Sequence, residues 1–294
     1  MKQDIHWFPG HMAKTIKELK SKLSSIDIII ECLDARIPLA SRNPLIDTFV
    51  SQKQTHIIAL TKIDLADPAI TKEWVNYFKG KSKYCVLLNI PKHLGIKNLL
   101  GLCNQIAESK KETKRFYVSK VLVCGIPNVG KSALINRIAN KSVAKVQNKP
   151  GVTKHTKGNL INQHLEIIDT PGILWPKLDQ TGTAVKLALC LAIKQSIVND
   201  KDLSDFLLDY LEKEYPEKLK KRYNLSHLES DIASITNSIT KQLHFLQKGA
   251  ELDLTRCYRK IIDDFSSNKF VSVSLERPSL ERPSLERPEQ NLAL

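Results

Sequence analysis

The chain has 294 residues, 42% of them hydrophobic, and a formal net charge of +14 at pH 7. That is enough apolar content for a substantial core, and the length suggests two domains. No apolar run approaches the roughly 18 residues of a spanning helix, and residues 1–10 lack a signal-type apolar core. Six scattered cysteines without C-x-x-C spacing read as reduced, mostly buried thiols rather than a metal site, so the expectation is a cytoplasmic protein with no membrane span. The charge is uneven. Residues 1–177 carry 28 Lys and Arg against 13 Asp and Glu, whereas residues 178–294 carry 17 against 18. Such an excess points to a polyanionic partner, RNA being the natural candidate, or to a lysine-rich surface kept for solubility.

In chain order, residues 5–10 form an aromatic-rich segment closed by Pro9-Gly10. Met12, Ile16, Leu19 and Leu23 then recur at helical spacing, with Lys14, Lys17 and Lys20 on the remaining surface as a solvated face or an RNA contact. Residues 26–33 are a buried-strand candidate ending in Asp34-Ala35-Arg36. A second strand, 56–60, delivers Thr61-Lys62-Ile63-Asp64 at its C-terminal end, where open α/β sheets bind ligands. Thr-Lys-x-Asp resembles the Asn-Lys-x-Asp guanine motif: the Asp64 carboxylate accepts from guanine N1–H and N2–H₂, and the Lys62 stem packs on the base. Thr61 replaces Asn and can still hydrogen-bond locally. A third strand, 84–88, leads into residues 89–95, placed to close over the base from Asn89 onward although the usual Ser-Ala pair is absent. Residues 96–111 read as a helix with Leu99, Leu100, Cys103 and Ile106 inward.

Residues 119–124 form a buried-strand run, and a helical pattern covers residues 133–139. Between them, Gly125-Ile126-Pro127-Asn128-Val129-Gly130-Lys131-Ser132 fits G-x-x-x-x-G-K-[ST] in its strand–loop–helix context. Backbone N–H groups from Asn128, Val129 and Gly130 through Ala133, with the helix N-terminus, would hold phosphates. Lys131 would reach the β- and γ-phosphates as a catalytic group, and Ser132 would ligate Mg²⁺. Downstream, Thr153 is the candidate metal-ligating threonine. A strand at 165–168 ends in Asp169-Thr170-Pro171-Gly172, where Asp169 would hold the metal and the Gly172 N–H would sense the γ-phosphate. Together these signals predict an α/β fold, a P-loop GTPase domain on a doubly wound sheet, with GTP as substrate and Mg²⁺ as cofactor.

The motif order is unusual, because the base-reading elements precede the phosphate loop; a domain with adjacent termini tolerates such circular permutation. This order, with Trp7-Phe8-Pro9-Gly10-His11-Met12, Asp34-Ala35-Arg36-Ile37-Pro38 and Asp169-Thr170-Pro171-Gly172-Ile173-Leu174-Trp175-Pro176, resembles the bacterial ribosome biogenesis GTPase A family of circularly permuted GTPases from Ile5 to about Pro278. The resemblance implies late maturation of the large ribosomal subunit, a large-subunit precursor and its ribosomal RNA being the partners. Ile173 stands where many GTPases place a water-orienting glutamine, and the resemblance points to His11 instead; His11 packing the helix after it is the competing reading. Asn128 resembles the asparagine that binds K⁺ in potassium-stimulated relatives, or it shapes the loop. A GTP-dependent RNA-binding scaffold and a permuted GTPase of small-subunit assembly or another pathway remain as alternatives.

The expected organisation is a permuted GTPase domain over 1–177, an all-α C-terminal domain over 178–270, and a tail over 271–294. In the helical part, 184–198 reads as one helix, and Leu203 to Leu211 mark another that ends before Pro216. Ile232 to Leu246 mark a third stopped by Gly249, and Asp253 caps a fourth that runs through Phe265. The tail repeats Ser-Leu-Glu-Arg-Pro three times over 274–288, with a proline every fifth residue, and is expected to be disordered.

Overall fold

A computed structural model describes residues 5–6, 23–43, 46, 51, 53–81, 84–111, 117–143, 159–169, 177–178 and 182–278. Its centre is a six-stranded sheet. The strands are β2 (Ile28–Asp34), β3 (Thr55–Thr61), β4 (Tyr84–Leu87), β5 (Ser119–Cys124), β6 (Asn159–Asn162) and β7 (Leu165–Asp169), in the order β4-β3-β2-β5-β7-β6. All neighbours are parallel except β6 and β7, which are antiparallel. A separate two-residue ladder joins β1 (Ile5–His6) to β8 (Lys177–Leu178) in antiparallel register.

The central strands β2, β3 and β5 are largely buried on both faces and read as continuous apolar runs, whereas the edge strands β4 and β6 are partly exposed. Alternation still assigns the faces. Ile28, Ile30, Cys32, Val121 and Val123 belong to the large core, while Ile29, Leu122 and Cys124 meet Leu23, Ile26 and Ile46 on the other side. Among the described residues, three helices complete this part: α1 (Pro68–Lys81), α2 (Ile96–Lys111) and α3 (Lys131–Val143). Helix α1 buries Ile70, Trp74 and Phe78, a four-residue spacing that puts them on one face against β4.

The C-terminal part is helical: α4 (Thr183–Leu189), a 3₁₀ turn (Gln195–Ile197), α5 (Asp200–Glu214), α6 (Pro216–Tyr223), α7 (Ile232–Gln242) and α8 (Leu254–Ser266). Side-chain caps start three of them. Asn199 accepts from the Lys201 N–H at 2.8 Å, Asp231 from Ser234 at 2.9 Å and Asp253 from Arg256 at 3.0 Å; each such cap is worth about 1 kcal/mol. Leu203, Leu207, Leu208 and Leu211 of α5 are buried together with Ile235, Ile239, Ile261 and Phe265. Completely burying a side chain of this size contributes about 1.5–3 kcal/mol.

The structure corrects three expectations. The single helix over 184–198 is α4 alone: Leu191 adopts a left-handed φ of 61°. The Leu191 N–H returns to the Ala188 carbonyl and the Ala192 N–H to Leu187, a Schellman closure that ends the helix. The tail is not uniformly disordered from residue 271, because Val273, Ser274, Leu275 and Glu276 are all buried. Their polar atoms, rather than apolar periodicity, supply the docking. Leu246 also lies beyond α7, in a bridge to Leu252.

Candidate nucleotide site

Parallel pairing brings the C-terminal ends of β2, β3, β4, β5 and β7 to one edge of the sheet, whatever their order along the chain. Asp34 lies in register with Thr61, and Val123 with Asp169. The elements that precede the phosphate loop in sequence therefore meet it in space.

The loop after β5 depends on two glycines. Gly125 has φ 143°, and a Cβ there would lie 2.5 Å from the Cys32 carbonyl oxygen, so the backbone can pass β2 only without a side chain. Gly130 has φ 103°, with Ile90 and Thr61 facing its missing Cβ. Lys131 opens α3, is buried, and donates from Nζ to the Ile126 carbonyl at 2.6 Å, so its ammonium curls over the loop. Ser132 and Ala133 follow it and are exposed at the helix start. Val129 is buried. Exposed Asn128, at a left-handed φ of 57°, donates from Nδ2 to the Leu191 carbonyl at 2.8 Å and thereby ties the loop to the end of α4.

Thr61 is completely buried. Its Oγ1 lies 2.7 Å from the Val129 carbonyl and 3.0 Å from that of Leu33. A hydroxyl has one proton, so the shorter contact is the stronger claim on it, and this contact clamps β3 to the phosphate loop. Thr61 thus keeps a hydrogen bond, but to a residue distant in sequence rather than locally, where asparagine was the pattern.

Next to it, Lys62 has φ 55° and places Nζ 3.0 Å from Asp34 Oδ2. Asp34 is buried and also accepts from Arg36: Nη2 at 2.7 Å, Nε at 3.0 Å and the backbone N–H at 3.0 Å. Burial alone would raise this carboxyl's pKa, but the Arg36 guanidinium and the Lys62 ammonium together hold it well below the usual carboxylate range. Arg36 in turn reaches the Cys190 carbonyl at 3.5 Å and stands 5.7 Å from the Phe265 ring centroid. Asp64, two residues beyond Lys62, is exposed. Buried Asn89 accepts from the Lys92 N–H at 3.1 Å and shapes the loop after β4.

Thus Thr61 at the end of β3, the loop residues Lys62, Asp64, Asn89, Asn128, Val129 and Gly130, and Lys131, Ser132 and Ala133 at the start of α3 lie at one sheet edge, with the Asp169 backbone on β7 at the same edge. His11, Thr153 and Gly172 lie outside the described residues, as do Lys14, Lys17 and Lys20. The Asp34–Arg36 pair and the Asn128–Leu191 contact are what the sequence reading left without a role. The Asp-Ala-Arg segment at a strand end was the available signal for the first, and nothing local signalled the second. Among the described residues no cluster of metal-ligating side chains appears, and no helix is long and apolar enough to cross a membrane.

A family model described as "50S ribosome-binding GTPase" matches residues 120–246, beginning on β5 and leaving out the Thr61–Asp64 segment upstream. Ribosome biogenesis GTPase A of Bacillus cereus is 38% identical over 279 residues, covering 93% of this chain and 94% of its own. The chain belongs to the ribosome biogenesis GTPase A family. The protein of the same name from Bacillus licheniformis is 39% identical, with 93% and 98% covered. A crystal structure of GNP-bound YlqF from T. maritima superposes with a TM-score of 0.59 at 25% identity, covering 90% of this chain and 98% of that one. The protein is therefore a GTPase with a P-loop α/β domain in which β2, β3 and β4 precede the phosphate loop, and the family connects it with ribosome assembly.

Proposed function

We propose that this GTPase is a switch in late assembly of the large ribosomal subunit, acting in the cytoplasm through contact with ribosomal RNA. The convergence of base-reading and phosphate-loop residues on one sheet edge, in a chain of this family, carries the reading. Two further facts support the partner. The matching family model is described as 50S-binding, and residues 1–177 hold 28 basic against 13 acidic residues.

In this reading, the N–H groups from Asn128 through Ala133 and the N-terminus of α3 bind the phosphates. Lys131 exchanges its Ile126 carbonyl for the β- and γ-phosphates. Ser132, Thr153 and Asp169 offer the all-oxygen donor set that suits Mg²⁺; exposed Ser132 and strand-end Asp169 fit that role. When bound, the cation neutralises charge developing on the phosphates. The Gly172 N–H reads the γ-phosphate. Asp64 accepts from the guanine edge, Lys62 covers the base, and the Asn89 loop closes beside it.

His11 orients the attacking water, which Ile173 cannot do. The β1–β8 ladder supports this role, since it ties the N-terminal strand to the chain leaving the Asp169–Gly172 segment. Hydrolysis is slow in the free protein and is accelerated when docking on the ribosomal particle fixes His11. Asn128, whose Nδ2 is held by the Leu191 carbonyl, would be the residue that holds K⁺.

The test is co-sedimentation with ribosomal particles in a non-hydrolysable GTP analogue. Association with large-subunit precursors is expected, with log affinity falling linearly against log salt concentration. Lys14, Lys17 and Lys20 replaced by Glu should weaken it and spare GTP binding, and His11→Ala should remove most of the particle-stimulated rate. Sedimentation with small-subunit particles, or a flat salt response, would overturn the reading. Normal release by a hydrolysis-dead variant would make the protein a scaffold.

A further inference from the structure

The first Ser-Leu-Glu-Arg-Pro copy is read residue by residue. Ser274 accepts at Oγ from the Asp67 N–H at 3.0 Å and donates its own N–H to the Tyr215 hydroxyl at 3.2 Å. Leu275 is completely buried, and its N–H donates to the Arg36 carbonyl at 2.8 Å. The Glu276 carboxylate accepts from the Leu39 N–H at 2.7 Å, the Ala40 N–H at 3.0 Å and Lys186 Nζ at 3.2 Å. Its carbonyl accepts from the Trp74 indole at 3.1 Å. Arg277 pairs with Glu214 at 2.9 Å. Four consecutive residues are thus each held, three by side-chain partners and Leu275 by burial and its backbone N–H, with partners drawn from the loop after Asp34, the loop after Asp64, α1, α4 and α5. A disordered low-complexity segment makes no such set of contacts.

The two later copies, over 279–283 and 284–288, have the same five residues. Any chemistry that recognises the first recognises them equally. We propose that this groove is a recognition site for the Ser-Leu-Glu-Arg sequence and that the second and third copies are exchangeable occupants of it. The first copy holds the groove at rest because Val273 precedes it: that side chain is buried, and its N–H donates to the Leu65 carbonyl at 3.1 Å. Pro278 and Pro283 precede the other copies and have no N–H to give. Each change of copy adds five residues between α8 and the groove, at most about 17 Å of extended chain. The tail is therefore a strap that can hold the same groove at three lengths. Tethering supplies the spare copies at high effective concentration, so a released groove is refilled from the same chain.

Hydrogen exchange of the Leu39 and Ala40 amides in the full chain reads groove occupancy directly. Leu275→Asp with Glu276→Ala should lower their protection only about tenfold, because a second copy takes over. The same changes in all three copies (Leu280 and Leu285→Asp, Glu281 and Glu286→Ala as well) should lower it roughly 100-fold or more. Equal loss in the two variants, or full protection in the second, would overturn the proposal. Should the three-copy variant fail to fold, disulfide capture in an otherwise unchanged chain decides. Leu39→Cys with Glu281→Cys should form an intramolecular bond, more slowly than Leu39→Cys with Glu276→Cys; no such bond to position 281 would refute the exchange.

Discussion

Two buried aspartates, one in each part of the molecule, solve the same problem with different consequences. Asp34, at the end of β2, is satisfied by Arg36 and Lys62; Asp264, on α8, is satisfied by Arg222 at 2.8 Å, Lys260 at 2.8 Å and the Tyr223 hydroxyl at 3.1 Å. The partners differ in their access to water. The difference lies in Arg36, whose side chain is 6% exposed; Lys62 at 26% is as open as Arg222 at 27%, and Lys260 is 36% exposed. They also differ in what they join. Asp264 fastens α6 to α8 within the helical part, while Asp34 fixes Lys62 of the Thr-Lys-x-Asp segment and, through Arg36, reaches the Cys190 carbonyl beyond α4. The first cluster holds a lysine at the sheet edge that carries the phosphate loop; the second is closed among its own helices.

The largest effect should come from breaking the drier cluster. Asp34→Asn leaves Arg36 buried without its counter-charge and should cost about 3 kcal/mol of stability. Asp264→Asn orphans cations that can reach water and should cost about 1.5 kcal/mol. Denaturant unfolding measures both, and GTP titration separates them further: only Asp34→Asn, which frees Lys62, should weaken nucleotide binding. The pH dependence follows from the same contacts. Both carboxyls lie below their ordinary value when folded, Asp34 most clearly, despite burial that acts the other way. Their stabilisation is complete above about pH 4, the unfolded aspartate range, and is lost as pH falls toward the depressed folded values. Each Asn variant should flatten the acid limb of the stability profile.

Asp64 sharpens the comparison because it is the exposed carboxylate beside the buried Asp34. Having no packing role, Asp64→Asn should change stability by no more than about 0.5 kcal/mol. Its effect should fall on the ligand. Losing two charge-assisted acceptors for the guanine edge should lower GTP affinity at least about 100-fold and raise affinity for XTP, whose carbonyl the new amide can meet. Unchanged GTP affinity with no gain for XTP would remove Thr61 to Asp64 from base reading.

The sheet and the loops of the site were legible because apolar runs end in residues whose chemistry is local. Strands read at 56–60 and 119–124 appear as Thr55–Thr61 and Ser119–Cys124, and the helix read at 96–111 is Ile96–Lys111. What escaped was either non-local or announced by a misleading residue. Pro68 and Pro216 look like breakers yet stand at first helical positions, where a missing N–H costs nothing, so α1 and α6 went unread. The two-residue β1–β8 ladder has no periodicity to detect. Leu191 carries no glycine to advertise the end of α4. The docked tail copy is held mainly by Ser274 and Glu276, so apolar content understates its order.

The smallest expected effect lies at the contact between the two parts, where Asn128 Nδ2 donates to the Leu191 carbonyl at 2.8 Å. One neutral hydrogen bond of this kind contributes about 1 kcal/mol. Asn128→Ala and Asn128→Asp both remove the donor, so each should lower stability by about that amount and raise hydrogen exchange around residues 190–192. The variants differ in what they keep. Asp retains an oxygen in place of the amide oxygen, whereas Ala retains none, so K⁺ stimulation of GTP hydrolysis should survive in Asn128→Asp and vanish in Asn128→Ala. Loss of stimulation in both would attribute it to the Leu191 contact and the loop geometry that contact maintains. Stimulation preserved in both would free Asn128 of any cation role, leaving it as the residue that couples the phosphate loop to the helical part.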